Sequence, residues 1–138
     1  MNATQFEFWN RTLGWSVFAI ALVTFGLTVE PTASFWDASE YIATSAKLQV
    51  GHPPGAPFYQ MMGAFFSLFA SGPEQIALLV NLMSVFSSAF TILFLFWTLT
   101  LLLKKLPAFS AIETTNDALA FFGSAVIGAL AFCFSDSF

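Results

Sequence analysis

The chain has 138 residues, of which 57% are hydrophobic, 18% are aromatic and only 9% are charged. Because soluble domains carry charge on roughly a quarter of their residues, this composition favours a protein embedded in lipid. A net charge of −4 offers no basic surface for phosphates, so nucleic acid is not an expected partner. With one cysteine and one histidine, an internal disulfide and a Cys/His zinc site are both excluded.

Three apolar runs predict membrane-spanning helices over about residues 10–29, 76–103 and 118–135. A helix needs about 20 apolar residues to cross the hydrocarbon core of a bilayer, and each run is close to this length or exceeds it. The first run could instead belong to a signal peptide, since Arg11 precedes its apolar core at residues 13–29, but this core is long for a signal peptide and further runs follow. The sequence therefore predicts an all-α membrane protein with three transmembrane helices.

The basic residues near the ends of these runs predict the orientation. Arg11 lies at the start of the first run, and Lys104 and Lys105 follow the second. The intervening residues 30–75 contain one lysine and four carboxylates. The excess of basic residues on cytoplasmic flanks therefore predicts that residues 30–75 form a loop on the outer side.

The outer loop is long enough to contain helices of its own. Residues 35–50 lack glycine and proline and predict a helix of about four turns, which Gly51 and the two following prolines would end. Residues 58–70 are apolar but too short to span, which favours an amphipathic helix lying along the membrane surface. The predicted fold thus adds interfacial helices to the three spans.

Polar residues of the first loop helix share one face. Asp37, Glu40, Thr44 and Lys47 are spaced by three, four and three residues, so two carboxylates, a hydroxyl and an ammonium lie together. Aromatic neighbours at a bilayer edge would desolvate such a carboxylate, and desolvation raises its basicity toward that of a general base. The face is a candidate catalytic surface.

Structural roles for the same residues are equally open from the pattern. Ser34 and Asp37 fit a capping box, in which Asp37 would only start the helix. Glu40 could pair with Lys47 on a solvated face, or Lys47 could bind an anionic head group. His52, held between Gly51 and two prolines, could contact a phosphate or simply bond a neighbouring carbonyl.

Two stretches resemble the N-terminal signature of a known family. They are residues 31–43, PTASFWDASEYIA, and residues 47–57, KLQVGHPPGAP. The chain is similar to a bacterial family of multi-pass membrane proteins related to the transmembrane protein O-mannosyltransferases, which belong to the GT-C class of glycosyltransferases. The resemblance covers essentially the whole chain and implies that residues 1–138 are the N-terminal part of a longer multi-pass domain.

The resemblance also implies roles for individual residues. It makes Asp37 the general base that deprotonates an acceptor hydroxyl, with Glu40 supporting it. It makes Lys47 and His52 candidates for the phosphate of a lipid-linked donor. Tyr41 is a further candidate for substrate binding, and Asp136 is similar in position to a second acidic residue of such enzymes.

The implied function is transfer of a sugar, with mannose as the expected one, from a polyprenyl-phosphate carrier to a protein hydroxyl at the periplasmic side of a bacterial inner membrane. The expected partners are membrane lipid, the lipid-linked sugar and an acceptor protein. No residue is assigned as a metal ligand and no cofactor is required, although carboxylates alone could hold a divalent metal.

The alternative is a small non-catalytic subunit that packs in a larger membrane complex. It is favoured by a row of small residues, Ala120, Ser124 and Gly128, which would allow another helix to approach the third span.

Overall fold

The computed structural model describes residues 1–34, 36–52, 55–109 and 112–135. These residues form helices and connecting turns with no β-strand among them, which confirms the predicted all-α class. The five α-helices are α1 (Ala3–Thr28), α2 (Ala38–Lys47), α3 (Pro57–Ser67), α4 (Pro73–Leu103) and α5 (Thr115–Cys133), with a 3-10 turn at Pro107–Phe109 before α5.

Helices α1, α4 and α5 are each long and apolar enough to cross a membrane, so the protein is a membrane protein with three candidate spans. Each begins a few residues before the predicted span. The apolar runs mark the part suited to lipid, whereas a helix continues until its terminal backbone groups are capped. Thr114 and Asp117 form such a cap at α5, where each side chain accepts a bond from the other residue's backbone N–H.

The chain divides into two compact units. The first contains residues 1–24 and 88–138 and therefore most of α1, the second half of α4 and all of α5. Its core contains apolar side chains from all three helices: Val17, Ala21, Ile92, Phe96, Phe121, Ala125 and Ala129. On α5 the buried small residues are Ala125 and Ala129, while Ala120 and Ser124 of the predicted small-residue row are exposed.

The second unit contains residues 25–87, in which α2 and α3 pack against each other. Three polar side chains lie in this contact: Thr44 and Ser45 on α2 and Gln60 on α3 are all buried. Gln60 Nε2 donates to Thr44 Oγ1 at 3.2 Å. The pairing therefore combines a buried hydrogen bond with close packing around Gly63 of α3, which is itself buried.

Helix α2 is shorter than the predicted helix of residues 35–50. Trp36 has φ 63°, a left-handed conformation that ends the helical path before Asp37. At the other end Leu48, not Gly51, adopts the left-handed C-cap with φ 48°, and Gln49 N–H donates to Thr44 O at 2.9 Å. The two left-handed residues confine α2 to under three turns.

Gly63 is expected to be intolerant of a side chain. A Cβ at this position would lie 2.7 Å from Ser45 Oγ and 2.8 Å from Ser45 Cβ. We expect Gly63→Ala to lower the free energy of unfolding by about 1–3 kcal/mol and therefore the melting temperature, because overpacking outweighs the better helix propensity of alanine. Gly123→Ala is the matched control, since its Cβ would meet nothing within 4 Å. Equal melting temperatures for the two variants would contradict this packing.

Candidate functional site

The second unit brings three of the predicted site residues together. Asp37, Glu40 and His52 each present a carboxylate oxygen or ring nitrogen, and these atoms lie within 4.8 Å of one another. We call these three residues the acid–histidine cluster. Asp37 is the N-cap residue of α2, Glu40 lies in its first turn, and His52 lies on the segment that follows α2.

Glu40 and His52 form a two-point contact. Glu40 Oε1 accepts from the backbone N–H of His52 at 2.7 Å, and Glu40 Oε2 lies 2.6 Å from His52 Nδ1. Gly51 allows this approach, because a Cβ there would stand 2.9 Å from Glu40 Oε1. The contact turns the segment after α2 back onto the first turn of that helix.

This contact decides between the earlier alternatives for Glu40 and His52. Glu40 pairs with His52 rather than with Lys47, which forms no ion pair with any described residue. His52 bonds a carboxylate rather than a carbonyl. The pairing of Glu40 with His52 was not predicted from spacing, since 12 residues and a helix end separate the two.

The contact shifts both titrations. The N–H donation from His52 lowers the pKa of Glu40, which corrects the prediction that burial would raise the basicity of this carboxylate. The hydrogen bond to Glu40 raises the pKa of His52, and the more distant charge of Asp37 adds to this. Glu40 is thus better suited to holding His52 in place than to acting as a general base.

A His52 titration is expected to report this pair. Ionised Glu40 stabilises the folded state above its ordinary pKa of 4.5. This contribution is lost as the pH falls through the lowered pKa of Glu40. Protonated His52 stabilises the folded state below its ordinary pKa of 6.5. This contribution is lost as the pH rises through the raised pKa of His52. The pair should therefore be complete between pH 4.5 and 6.5.

The measurement is an NMR pH titration of the chain's one histidine. We expect a midpoint above 6.5, returning toward that value in Glu40→Gln, in which the charge is removed and the size kept. A midpoint that Glu40→Gln leaves unchanged would contradict the pairing. Lys47→Gln is the control, since Lys47 lies two turns farther along α2.

The side chain of Asp37 does not cap α2. The predicted capping box with Ser34 is wrong, because Asp37 is itself the N-cap residue and its side chain makes no cap hydrogen bond. The left-handed Trp36 is the physical reason, since it prevents the helix from starting at Ser34. The Asp37 carboxylate is consequently exposed beside the Glu40–His52 pair.

The acid–histidine cluster has the donor atoms of a divalent metal site. Two carboxylates and an imidazole nitrogen suit several divalent ions. A metal bound through His52 Nδ1 would replace the 2.6 Å contact between that nitrogen and Glu40. The geometry therefore offers either a hydrogen-bonded pair beside Asp37 or a three-residue ligand set.

The other predicted site residues do not belong to the acid–histidine cluster. Tyr41 follows Glu40 on α2, and its ring meets that of Tyr59 on α3 edge-to-face at 5.4 Å. Lys47 is exposed in the last turn of α2. Asp136 lies outside the described residues. Tyr59 was missed by the sequence analysis, because it belongs to an apolar helix that was read only for its length.

Asn81 is a second residue that the sequence analysis did not interpret. Its Nδ2 donates to Glu30 O at 2.8 Å and to Thr32 O at 3.1 Å, so α4 holds the segment that leads from α1 to α2. The Glu30 carboxylate in turn accepts from the backbone N–H of Thr32 at 3.1 Å. A lone amide within an apolar run was the only available signal.

An open groove elsewhere in the chain contains none of these residues. It has a volume of about 640 Å³, belongs to the first unit, and is lined by side chains that include Trp9, Leu13 and Phe122. Its lining is mainly apolar, so size alone does not identify the site. The three side chains of the acid–histidine cluster lie instead in the second unit.

The fold and the cluster define a helical membrane protein whose polar cluster lies in the segment between its first two candidate spans. The family described as the protein O-mannosyl-transferase TMEM260 N-terminal domain matches residues 37–138. The chain belongs to this family, which confirms the relation to the protein O-mannosyltransferases. No curated protein and no solved structure matches the chain significantly.

Proposed function

We propose that the protein transfers mannose from a polyprenyl-phosphate carrier to the hydroxyl of an acceptor protein. The observation that supports this most strongly is the exposed Asp37 carboxylate beside the Glu40–His52 pair, at the start of the matched region. A base of this kind must approach the acceptor hydroxyl within hydrogen-bond distance. As the N-cap of α2, Asp37 is accessible to such a substrate.

Asp37 acts as the general base. Its carboxylate takes the proton of the acceptor hydroxyl while the hydroxyl oxygen forms a bond to the anomeric carbon of the sugar. The bond between that carbon and the phosphate oxygen breaks, and the electron pair leaves with the polyprenyl phosphate. This displacement inverts the anomeric centre and leaves the carboxyl of Asp37 protonated until solvent removes the proton.

His52 and Glu40 serve the leaving phosphate. Glu40 occupies Nδ1 and favours the protonated ring, which leaves Nε2 to donate toward a phosphate oxygen. Lys47, in the last turn of α2, supplies a second positive charge. Tyr41 provides an aromatic surface for the sugar, and Asp136 is assigned a supporting acidic role by the family resemblance.

The proposed setting is a bacterial inner membrane with residues 30–75 on the periplasmic side. Three basic residues support this orientation, because they lie toward the ends of α1 and α4 that are farther from residues 30–75. They are Arg11, Lys104 and Lys105. The donor, the acceptor protein and the surrounding lipid are the proposed partners. The activity is proposed for the whole protein that contains these residues.

A divalent cation shared by the acid–histidine cluster is the competing use of the same residues. Chelation with EDTA distinguishes the two, since Asp37 as a base predicts transfer that chelation leaves unchanged. Loss of transfer in EDTA and recovery with Mg²⁺ or Mn²⁺ would assign the three side chains to metal binding instead.

Disruption of the gene in its own host tests the proposed function. Protein-linked mannose in the membrane and periplasm should fall, and a plasmid copy of the full-length gene should restore it. An unchanged set of mannosylated proteins would contradict the proposal.

The subunit hypothesis is supported by the exposure of Ala120 and Ser124 on α5, which leaves a small-residue surface for another helix. It predicts a stable stoichiometric complex whose function is indifferent to Asp37→Asn and Glu40→Ala. The enzyme hypothesis predicts that the first of these variants lowers transfer by about 10²–10⁴-fold.

A further inference from the structure

The open groove of the first unit follows one side of α1 and one side of α5, and we call it the α1–α5 groove. Its α1 wall carries Gln5, Trp9 and Leu13, which are spaced by four residues and therefore share a helix face. Its α5 wall includes Leu119 and Phe122. From Gln5 to Leu13 the groove extends over about 12 Å, close to the depth of one leaflet in a hydrocarbon core about 30 Å thick.

A second cavity adjoins one end of the α1–α5 groove. Its volume is about 450 Å³, and Met1 and Glu113 line both spaces. Its wall carries a charge of each sign, Lys104 just after α4 and Glu113 just before α5. Lys104 Nζ lies 3.6 Å from the centroid of the Phe6 ring, a cation–π contact that holds the ammonium at this cavity. Groove and cavity together form an amphipathic site, apolar along its length and charged at one end.

The two charges of the cavity remain available to a ligand. Within the part of the chain that the structure describes, Lys104 and Glu113 belong to no ion pair. Glu113 contacts Asp117 Oδ2 through its backbone N–H, at 3.2 Å, and its carboxylate is exposed. The Met1 ammonium also lines the cavity, but it already donates to Ile112 O at 2.6 Å. The site therefore matches a ligand that joins an apolar chain to one negative and one positive group.

We propose that this site binds one molecule of phosphatidylethanolamine, with an acyl chain in the α1–α5 groove and the head group in the adjoining cavity. The lipid phosphate accepts from the Lys104 ammonium, and the primary ammonium of the head group donates to the Glu113 carboxylate. Phosphatidylglycerol has no cation to place beside Glu113. Phosphatidylcholine has no N–H to donate, because its ammonium is fully methylated.

The proposed lipid site is separate from the acid–histidine cluster. Lys104, Glu113 and the residues of the α1–α5 groove belong to the first unit, whereas Asp37, Glu40 and His52 belong to the second. The lipid is therefore a structural ligand of the first unit. The proposal does not depend on the proposed transfer activity.

Native mass spectrometry of the full-length protein tests this site. The purified protein is incubated with equal amounts of phosphatidylethanolamine, phosphatidylglycerol and phosphatidylcholine that carry the same acyl chains. The lipid retained on each protein molecule is then identified by its mass. We expect phosphatidylethanolamine to be retained severalfold more than either of the other lipids.

Two variants that remove a charge test the head-group contacts. Lys104→Gln removes the partner of the phosphate and should lower the retention of phosphatidylethanolamine and phosphatidylglycerol severalfold. Glu113→Gln removes only the partner of the ammonium, so it should lower the retention of phosphatidylethanolamine and not that of phosphatidylglycerol. Lys105→Gln is the matched control, since Lys105 is the adjacent exposed lysine and is not among the residues that line the cavity.

Gly123→Leu tests the acyl-chain contact. Gly123 lines the α1–α5 groove, and a Cβ there would meet no described atom within 4 Å, so leucine fills space that the acyl chain would occupy. This variant should lower the retention of phosphatidylethanolamine severalfold. Gly26→Leu is the matched control, because a Cβ at this exposed helical glycine is equally unobstructed and Gly26 does not line the groove.

Several outcomes would overturn the proposal. They are equal retention of the three lipids, preferential retention of phosphatidylglycerol or phosphatidylcholine, and retention that Lys104→Gln or Glu113→Gln leaves unchanged. A folded Gly123→Leu variant that retains as much phosphatidylethanolamine as Gly26→Leu would also overturn it. Size-exclusion profiles verify folding, and the two exposed head-group positions decide the matter if Gly123→Leu does not fold. The readout is lipid mass, so its failure is distinguishable from failure of the proposed transfer.

Discussion

Asp37→Asn in the full-length protein is expected to reduce sugar transfer by about 10²–10⁴-fold, the contribution typical of a general base. The amide has nearly the same size but cannot accept the acceptor's proton. Since the Asp37 side chain makes no cap hydrogen bond, its replacement should leave α2 and the insertion of the protein unchanged. Initial rates with saturating donor, measured beside the melting temperature, separate the chemical effect from a folding effect.

Glu74→Gln is the matched control for this loss of charge. Glu74 is exposed in the first turn of α4 and belongs to the same segment of residues 30–75, but it is not part of the cluster. Its variant should transfer at the rate of the unaltered protein. Undiminished transfer by Asp37→Asn would remove the role assigned to Asp37.

Asn81→Leu is expected to have the second largest effect. It removes the donor to the exposed carbonyls of Glu30 and Thr32, which should lower the free energy of unfolding by about 0.5–1.5 kcal/mol. It also releases the segment that leads to Asp37. Because small misplacements of a catalytic group are costly, transfer should fall by up to about 10²-fold.

The measurements for this variant are thermal inactivation and transfer rate. Ser84→Ala is the control on the same helix, since Ser84 is exposed and lies about one turn farther along. A leucine variant that matches the Ser84→Ala control in both measurements would show that Asn81 does not hold the segment. A loss of stability with normal transfer would limit Asn81 to a structural role.

The spans were predictable because their signal is compositional. Apolar runs of the length needed to cross lipid are visible in the sequence and need no knowledge of tertiary contacts. The ends of the helices were less predictable, because they depend on backbone conformations such as the left-handed Trp36 and Leu48. Neither residue is a type that usually adopts this conformation.

The site was predictable in its residues and not in its contacts. The spacing of Asp37 and Glu40 placed both carboxylates on one helical face, as α2 requires. The pairing of Glu40 with His52 depends on how the chain returns after α2, which no periodic pattern encodes. The contact of Asn81 with Glu30 spans 51 residues and was equally inaccessible to a local interpretation.

The most direct test of the central claim is a reconstituted transfer assay. The purified full-length protein in lipid vesicles receives an acceptor protein and radiolabelled mannose, supplied either on polyprenyl phosphate or as the nucleotide sugar. The proposed function predicts hydroxyl-linked label on the acceptor from the polyprenyl donor alone, with a labelling rate about 10²–10⁴-fold lower for Asp37→Asn. Label from the nucleotide sugar alone, or no label from either donor, would contradict it.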